Sequence, residues 1–450
     1  MSAPSIPNLN SLRRGGPRLR GSRGRGTPGG PTTDTPSSHN TGTRIANPPA
    51  HAAIQDRIIL STDNDAATSR LSAVATGYLD DPFAALLHAD LRSGTASSTN
   101  ANTAANPPRR LPLMNRGTYA RTVGVDRVVD TFLAQHKGGR CQIVSLGAGS
   151  DTRFFRLRRR LHQQQRQRER MLYHEFDLAQ NTKSKVARLR RKEFQEAARQ
   201  ECGMDWNPAV STRNSDNDTA DTDDATSLNA DEHGYTLSPL DLRSLPPPPP
   251  PPSTTHSNTT TTTPPLPITL AQINRTLPTL LISECCLCYL PPSAADVVLS
   301  FFSALFVPDV PLAIVIYEPI RPHDAFGRTM VANLAGRGIS LPTLERYGEL
   351  EAQRERLARF GFGGGEGKGA GARAVDLEYV WRAWVAAEEK ERVEALEWMD
   401  EVEEFVLLGR HYAVAFGWRA YANDGEHGKA EGEGEGDAAW RNLPVPPTKH

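Results

Sequence analysis

Carboxylates and a glycine turn follow short apolar runs at several points of this chain. The run CQIVSL ends in the turn Gly147–Gly149, YHEF ends in Asp177, YTLSPL ends in Asp241 and TLLIS ends in Glu284. A glycine turn lets a ligand approach backbone N–H groups, and acids after the second and third runs can accept ribose hydroxyls and an adenine amino group. One such acid is more often a helix N-cap. Four features at equivalent positions instead indicate a site for a nucleoside ligand.

The residues Asp151 and Thr152, which follow the glycine turn, distinguish between the nucleoside ligands that could bind here. A dinucleotide-binding turn has a third glycine three residues after Gly149, where this chain has Thr152, and Asp151 would repel a pyrophosphate. S-adenosylmethionine has no phosphate and carries a positive sulfonium, so carboxylates around it are favourable. The pattern therefore favours a methyl donor over a nicotinamide dinucleotide.

These residues can meet only if the apolar runs form neighbouring strands of one sheet. Together with a fifth run, LAIVIYEP, they alternate with helical segments, which is typical of a mainly parallel sheet covered on both faces. Ligands of such α/β sheets bind beyond the carboxyl ends of the strands. We therefore predict that the glycine turn and the three acids share one edge. The later segment FVLLGRHYAVAFGW predicts two strands around Gly409 and Arg410, a hairpin that closes the sheet.

Helical periodicity marks two segments before the first strand. Apolar residues recur at helical spacing from Ala67 to Tyr78, behind Thr62 or Asp63 as the N-cap. The second segment has apolar residues at i, i+3, i+4, i+7 and i+8, which are Val125, Val128, Val129, Phe132 and Leu133. We predict a helix in each segment.

Glycine and proline, 36 and 35 residues, are concentrated in stretches that cannot build a core. The remaining residues, about 300, have the size of one large domain. We predict a disordered basic tail over 1–53, a domain over 54–420 with low-complexity inserts over 205–232 and 244–267, and a disordered tail over 421–450. The Arg-Gly segment of the first tail suits a solvated chain better than an RNA-binding one, and Pro246–Pro252 suit a spacer better than a docking motif.

Charge, hydropathy and cysteine content exclude several classes of protein. Lys and Arg total 52, as do Asp and Glu, so the chain as a whole is not drawn to nucleic acid or to an anionic membrane. No apolar run is long enough to cross a bilayer, and no secretion signal precedes the domain. Cys285, Cys286 and Cys288 give three thiols where a structural metal needs four ligands. We expect a cytoplasmic protein without a metal, and we interpret His411 as a packing residue rather than a catalytic base.

The combined motifs resemble those of the leucine carboxyl methyltransferases. These S-adenosylmethionine-dependent enzymes methylate the C-terminal leucine carboxylate of type 2A protein phosphatase catalytic subunits. The resemblance follows family order over most of the ordered residues, in SRLSAVATGYLDDPF, NRGTYARTVGVD, CQIVSLGAGSDTRFFRL, YHEFD, PLDLR, LPTLLISECCLCYL, YEPIRPHDAFGRTMVANL and the RHY of 410–412. It implies a Rossmann-like class I methyltransferase fold, S-adenosylmethionine as co-substrate, and a monomer whose partner is the C-terminal tail of the phosphatase subunit.

The resemblance also implies roles for individual residues. Some members have a lysine where this chain has Ser69. The helical segments 54–92 and 320–400 would form a lid and a pocket that admits a peptide tail. Arg121 and Tyr289 are candidates for holding the substrate carboxylate. The residues implied to bind the donor are Arg121 and Glu284 at its methionine end, Gly147 in the donor loop, Asp177 at the ribose, and Asp241 and Leu242 beside the adenine.

Two other functions are compatible with the same pattern. One is a small-molecule O-methyltransferase, which would share the sheet and differ only in its substrate pocket. The other is a non-catalytic module whose low-complexity segments recruit partners. Acids at every sheet-edge position favour a working enzyme, because a module without activity has no need of them.

Overall fold

A computed structural model describes residues 48–88, 109–165, 171–211, 226–247, 268–308, 310–363, 370–419 and 439–446. The predictions for the first 47 residues and for Pro246–Pro252 fall wholly or mostly outside these ranges. Within them, no helix combines the length and the apolar character needed to cross a bilayer.

The described residues form twelve α-helices and nine strands. The helices are α1 (Pro48–Ala75), α2 (Ala84–Leu87), α3 (Pro112–Gln135), α4 (Arg153–Gln163), α5 (Ala179–Leu189), α6 (Lys192–Cys202), α7 (Pro292–Leu305), α8 (Ala325–Ala335), α9 (Leu350–Arg359), α10 (Leu377–Tyr379, continued by a π-helix over Val380–Trp384), α11 (Ala387–Glu394) and α12 (Val402–Arg410). The strands are β1 (Cys141–Leu146), β2 (Met171–Asp177), β3 (Ala209–Ser211), β4 (Ser227–Ala230), β5 (Tyr235–Pro239), β6 (Thr279–Glu284), β7 (Leu312–Pro319), β8 (Gly371–Asp376) and β9 (Tyr412–Arg419).

All nine strands belong to one sheet, in the order β3-β4-β5-β2-β1-β6-β7-β9-β8. The five central strands, β5 to β7 in this order, run parallel, and the strands at both ends pair antiparallel. Among the parallel strands, the chain moves outward from β1 through β2 to β5 and then returns to place β6 on the other side of β1. The sheet is therefore Rossmann-like, with its topological switch point between β1 and β6, where ligands of such sheets bind.

Alternate residues of the central strands face two apolar clusters, one on each face of the sheet. In β1, Ile143 belongs to the cluster that contains α3 and α4, and Val144 belongs to the cluster that contains α7. Four of the five apolar residues predicted along α3 are at most 1% exposed, and Leu133 packs against the same cluster. Burial on both faces accounts for strands that read as continuous apolar runs.

The first helix begins earlier than predicted. The helix extends from Pro48 to Ala75, so Thr62 and Asp63 lie inside it and not at its start. The Thr62 hydroxyl donates to the carbonyl of Ile59, as expected within a helix. The N-cap assignment was therefore wrong, and the Asp63 side chain is left to bond another part of the chain.

An antiparallel pair closes this end of the sheet as predicted, but the position predicted for its first strand was wrong. Residues 402–410 form α12, and β9 pairs with β7 on one side and with β8 on the other. Phe405 and Gly409, four residues apart, are the buried residues of this helix while Glu403 is exposed, so a short apolar run here also fits a helical period. The strand that pairs with β9, β8, falls in the segment predicted to be helical.

The predicted bounds of the insert over 205–232 include residues that are part of the folded domain. Its ends form β3 and β4, an antiparallel pair that extends the sheet beyond β5. Trp206 is 2% exposed, and its ring N–H donates to the carbonyl of Leu189. Because Trp206 is buried in the core, the ordered domain continues past residue 205, where the insert was predicted to begin. At the second insert, Leu245 is likewise buried.

The tail predicted over 421–450 contains a segment that packs on the core. Trp440 is 3% exposed, and its ring stacks on Trp418 with a centroid separation of 5.5 Å. The Trp384 ring N–H donates to the carbonyl of Pro444, and Arg373 donates to the carbonyl of Leu443. Residues 439–446 thus cover β8 and β9, because an aromatic ring and a leucine give even a short segment enough apolar surface to bury.

We expect truncation after residue 438 to destabilise the protein by about 3 kcal/mol or more, the usual cost of removing a buried tryptophan. Trp440→Ala should reproduce most of the loss, measured as a shift of the thermal unfolding midpoint. Truncation after residue 446, which keeps Trp440 and Leu443, is the matched control and should leave the midpoint unchanged. Equal midpoints for the two truncations would show that the segment contributes nothing.

Candidate functional site

One cavity of about 690 Å³ opens at the carboxyl ends of the central strands. Its volume lies in the range of small-molecule sites, about 300–1,000 Å³. All seven residues singled out from the sequence line it, namely Arg121, Gly147, Asp177, Asp241, Leu242, Glu284 and Tyr289. The sheet brings them together because the first, second, third and fourth parallel strands all end at this edge.

The glycine turn after β1 leaves no room for a side chain. Gly147 has φ +67°, and a Cβ there would lie 2.5 Å from the Cys286 sulfur. Gly149 has φ +45°, and a Cβ there would lie 2.3 Å from a carboxylate oxygen of Asp63. Both the left-handed backbone and the close neighbours require glycine at these positions. The turn therefore presents bare backbone to the cavity.

Asp177 fixes the glycine turn against the end of β2. Its carboxylate accepts hydrogen bonds from the N–H of Gly149 at 2.6 Å, the N–H of Leu178 at 2.6 Å and the side-chain amide of Asn181 at 2.9 Å. Burial raises the pKa of this carboxyl, and the three donors oppose that effect. A carboxylate held in this way keeps lone pairs for a ligand hydroxyl group.

The next backbone N–H of the turn is also taken by an acid. Asp63 of α1 accepts from the N–H and from the hydroxyl of Ser150, both at 2.8 Å. A pyrophosphate would need these N–H groups, together with a free helix N-terminus. At the start of α4, however, the Arg153 N–H donates to Asp151 and the Thr152 hydroxyl donates to Asp81. The turn is therefore arranged for a ligand without phosphate.

A charged network forms the floor of the cavity below the switch point. Glu284, at the end of β6, accepts from Arg121 of α3 at 2.6 Å and from Arg153 of α4 at 2.9 Å. Arg153 is 2% exposed and also bonds Asp126 and Asp151. Burial alone would raise the pKa of Glu284, but the two guanidinium groups hold it at about 2. Glu284 is therefore ionised at neutral pH.

Asp241 and Leu242 lie beyond the end of β5 at the rim of the cavity. The Asp241 carboxylate accepts from the backbone N–H and the guanidinium of Arg243, and this pairing opposes the effect of burial and lowers its pKa. Arg243 also pairs with Asp56 of α1 at 2.9 Å. Leu242 is 8% exposed and gives the rim an apolar surface. Asp241 and Leu242 can therefore face a flat heterocycle, with the Asp241 carboxylate as a hydrogen-bond acceptor and the Leu242 side chain as an apolar surface.

Three tyrosines face the same cavity near Arg121. The Arg121 guanidinium lies over the Tyr317 ring at 4.9 Å, and Tyr317 stacks on Tyr412 at 5.5 Å. Burial and then the neighbouring Cys288 raise the pKa of Tyr289, and burial raises the pKa of Tyr412 to about 12. Their hydroxyls therefore stay protonated at neutral pH and can donate to an anion.

Sequence reasoning missed the residues that reach the site from distant parts of the chain. Asp63 was considered only as a helix cap, and Arg153 was not singled out. Nothing local marks either residue, since each depends on a partner more than 80 residues away, such as Ser150 for Asp63. The cavity also has an apolar side, formed by Leu334, Ile339, Pro342, Phe405 and Leu408, of which the last two lie outside the segment predicted to form the substrate pocket.

The remaining candidates have structural explanations. His411 is 1% exposed, bonded to the carbonyl of Leu407 and paired with Asp324 at the start of α8, away from the cavity lining. Its interpretation as a packing residue agrees with this position. Ser69 lines the cavity, with its hydroxyl donating to the Asp65 carbonyl. Across the described ranges, no group of three or more His, Cys, Asp or Glu residues is arranged to hold a metal ion.

Comparison with known proteins gives a consistent result. The family model for leucine carboxyl methyltransferase matches residues 58–227. The chain is 45% identical to leucine carboxyl methyltransferase 1 of Aspergillus fumigatus, over 94% of this chain and 96% of the relative. The protein of that name from Emericella nidulans is 41% identical, over 93% and 95% of the two chains. That from Yarrowia lipolytica is 34% identical, over 80% of this chain and 97% of the relative.

Replacing Glu284 tests the charged floor. Because the native pKa of about 2 lies below the ordinary 4.5, the ionised group stabilises the fold above about pH 4.5 and loses this effect as pH falls towards 2. We expect Glu284→Gln to lower the unfolding free energy near pH 7 by on the order of 3 kcal/mol. The difference from the unsubstituted chain should shrink as acid is added.

Chemical unfolding between pH 7 and pH 3 measures this difference. Glu355, an exposed glutamate of α9, provides the matched control, and Glu355→Gln should leave stability unchanged at every pH. A Glu284→Gln deficit that stays constant with pH would mean that the loss comes from packing and not from the ion pairs.

Proposed function

The chain belongs to the leucine carboxyl methyltransferase family, and on that premise we propose that it methylates the C-terminal leucine carboxylate of a type 2A protein phosphatase catalytic subunit, with S-adenosylmethionine as donor. The fold is the Rossmann-like one of class I methyltransferases, as predicted. The main support for the proposal is the composition of the cavity, which combines acids at the strand ends with the Arg121 guanidinium and an apolar side.

The donor end of the cavity suits S-adenosylmethionine in size and charge. The bare glycine turn gives the nucleoside a close approach to backbone, and Asp177 can accept the ribose hydroxyls. Asp241 and Leu242 can face the adenine, and Arg121 can pair with the carboxylate of the methionine portion. When bound, the donor supplies an electrophilic methyl group on a positive sulfonium. The acids of the lining favour that charge.

Methyl transfer to a peptide carboxylate requires that the carboxylate be oriented and stripped of water, and it requires no proton transfer. A peptide C-terminal carboxyl has an ordinary pKa of about 3.3 to 3.7, so it is already a nucleophile at neutral pH. One carboxylate oxygen attacks the methyl carbon while the bond from that carbon to sulfur breaks, and both opposite charges are neutralised. A site that excludes water favours this loss of charge. Arg121 and the protonated Tyr289 hydroxyl can orient the anion.

The apolar side of the cavity supports an aliphatic terminal residue. Phe405 and Leu408 come from α12, and Leu334 and Ile339 come from α8 and the segment after it. These elements lie within or beside the segment predicted to form a substrate pocket. A leucine side chain there would bury apolar area worth about 1.5–3 kcal/mol, whereas a charged terminal residue would lose its hydration.

The donor assignment can be tested by calorimetry. S-adenosylmethionine should bind, and Asp177→Ala should weaken binding by roughly 1–3 kcal/mol, because the ribose hydroxyls lose their acceptor. Asp205, whose side chain is 88% exposed, supplies the control substitution Asp205→Ala, which should bind as tightly as the unsubstituted chain. Equal affinity for Asp177→Ala would remove this residue from the donor site, and binding of NADH instead would restore the dinucleotide alternative.

The acceptor assignment needs a phosphatase catalytic subunit in three forms. With a labelled donor, the intact subunit should gain one base-labile methyl ester. The subunit without its terminal leucine, and the subunit with an amidated C-terminus, should gain none, since the second lacks the nucleophilic oxygen. The rate should show no inflection from a catalytic base near neutral pH. Labelling of the amidated form, or of a small molecule alone, would contradict the protein substrate and leave the methyltransferase fold standing.

A further inference from the structure

Three of the five cysteines lie directly after β6 at the cavity. Cys285 and Cys286 line the cavity, whereas Cys288 is 1% exposed and lies behind them in a short 3₁₀ turn. Cys285 and Cys288 are separated by two residues, the spacing of many redox-active thiol pairs. Cys202, Cys285, Cys286 and Cys288 are free thiols in this structure.

The backbone at Cys285 has an unusual conformation. Its φ is +52°, in the left-handed region that a residue with a side chain rarely adopts. The residue is held there by a 2.8 Å hydrogen bond from its N–H to the carbonyl of Tyr317 on the neighbouring strand. This conformation turns the chain out of β6 and exposes the Cys285 side chain to the cavity. A small oxidant that enters the cavity can therefore reach its sulfur.

The pKa values of the two thiols are shifted in opposite directions. The neighbouring Cys288 thiol lowers the pKa of Cys285 against the opposing effect of burial, and Arg121 acts in the same direction. Burial and then the neighbouring Cys285 raise the pKa of Cys288. Burial raises the pKa of Cys202 to about 12 and that of Cys286 as well. Cys285 thus has the most thiolate character of these four cysteines, with a protonated thiol beside it.

We propose that Cys285 and Cys288 form a reversible thiol–disulfide pair at the wall of the cavity, with Cys285 as the reactive thiol and Cys288 as the resolving one. Only two residues separate them in the short turn after β6, and a disulfide forms when the two sulfurs approach to about 2 Å. Such pairs in intracellular proteins are usually transient or regulatory.

The reaction with a peroxide is balanced. The Cys285 thiolate attacks one peroxide oxygen, the O–O bond breaks, and hydroxide leaves, so that Cys285 becomes a sulfenic acid. The Cys288 sulfur then attacks the Cys285 sulfur, the S–O bond breaks, and a second hydroxide leaves, which takes up the thiol proton. Overall, two thiols and one hydrogen peroxide give one disulfide and two waters. A dithiol reductant reverses the reaction by exchange.

The position of the pair connects its state to the site. Cys285 follows Glu284 in the chain and lies near Arg121, so drawing its sulfur towards Cys288 moves the end of β6 at the floor of the cavity. Oxidation should therefore reduce methyl transfer, and this consequence rests on the proposed function. Formation of the disulfide does not rest on it, so the two can fail separately.

The test uses the full chain, reduced, freed of reductant and treated with increasing hydrogen peroxide. Free thiols are then alkylated and mapped by mass spectrometry. We expect a loss of about 2 Da and a peptide in which Cys286 is alkylated while Cys285 and Cys288 are linked. This product should form before Cys141 or Cys202 is modified, and dithiothreitol should restore the thiols.

Two variants separate the roles of the two sulfurs. Cys288→Ser should stop at a Cys285 sulfenic acid that dimedone traps, and Cys285→Ser should form no disulfide at the same peroxide concentration. Cys202→Ser is the matched control and should behave like the unsubstituted chain. Earlier oxidation of Cys202 or Cys141, or a link that involves Cys286, would overturn the proposal. The proposal would also be overturned if the Cys285–Cys288 disulfide formed no faster in the folded unsubstituted chain than in the same chain unfolded in urea.

Discussion

The guanidinium of Arg153 holds together the parts of the chain that form the floor of the cavity. It is almost fully buried and bonds Asp126 of α3, Asp151 just after the glycine turn and Glu284 of β6. A buried cation is costly unless it is paired on several sides, so these three carboxylates must stay close to it. Because Glu284 also binds Arg121, one ionic network fixes the helix, the turn and the strand end relative to one another.

Helix α1, which covers one side of the cavity, is attached to the rest of the molecule by a different set of contacts. The first half of helix α1, before the buried residues Leu71 to Ala73, contacts the rest of the molecule through the Asp63–Ser150 hydrogen bonds, the pairing of Asp56 with Arg243 and that of Asp65 with Arg337. These contacts are partly exposed, and exposed ion pairs contribute little stability. The floor is therefore held by buried ion pairs, whereas the first half of α1 is held by weaker, partly exposed contacts. This difference suits a site that must exclude water yet exchange a large ligand.

The sequence was informative where function depends on residues next to regular strands, and uninformative where it depends on distant contacts. Asp177 and Glu284 were predictable because each ends an apolar run of a parallel sheet. Asp63 was not, because its partner lies 87 residues away. The position predicted for the first strand of the hairpin was wrong because a four-residue apolar run fits a helix as well as a strand. Trp440 was missed because charged, glycine-rich residues precede the short segment that it anchors.

The placement of β9 has a consequence for how the protein is made. This strand covers the edge of β7 along its whole length, from Leu312 opposite Arg419 to Pro319 opposite Tyr412. During translation, β7 emerges roughly 90 residues before its neighbour, which at about 5–20 residues per second leaves an apolar edge open for roughly 5 to 20 seconds. Open strand edges promote aggregation. Until β9 is made, the open edge of β7 is therefore the part of the growing sheet at which aggregation would begin.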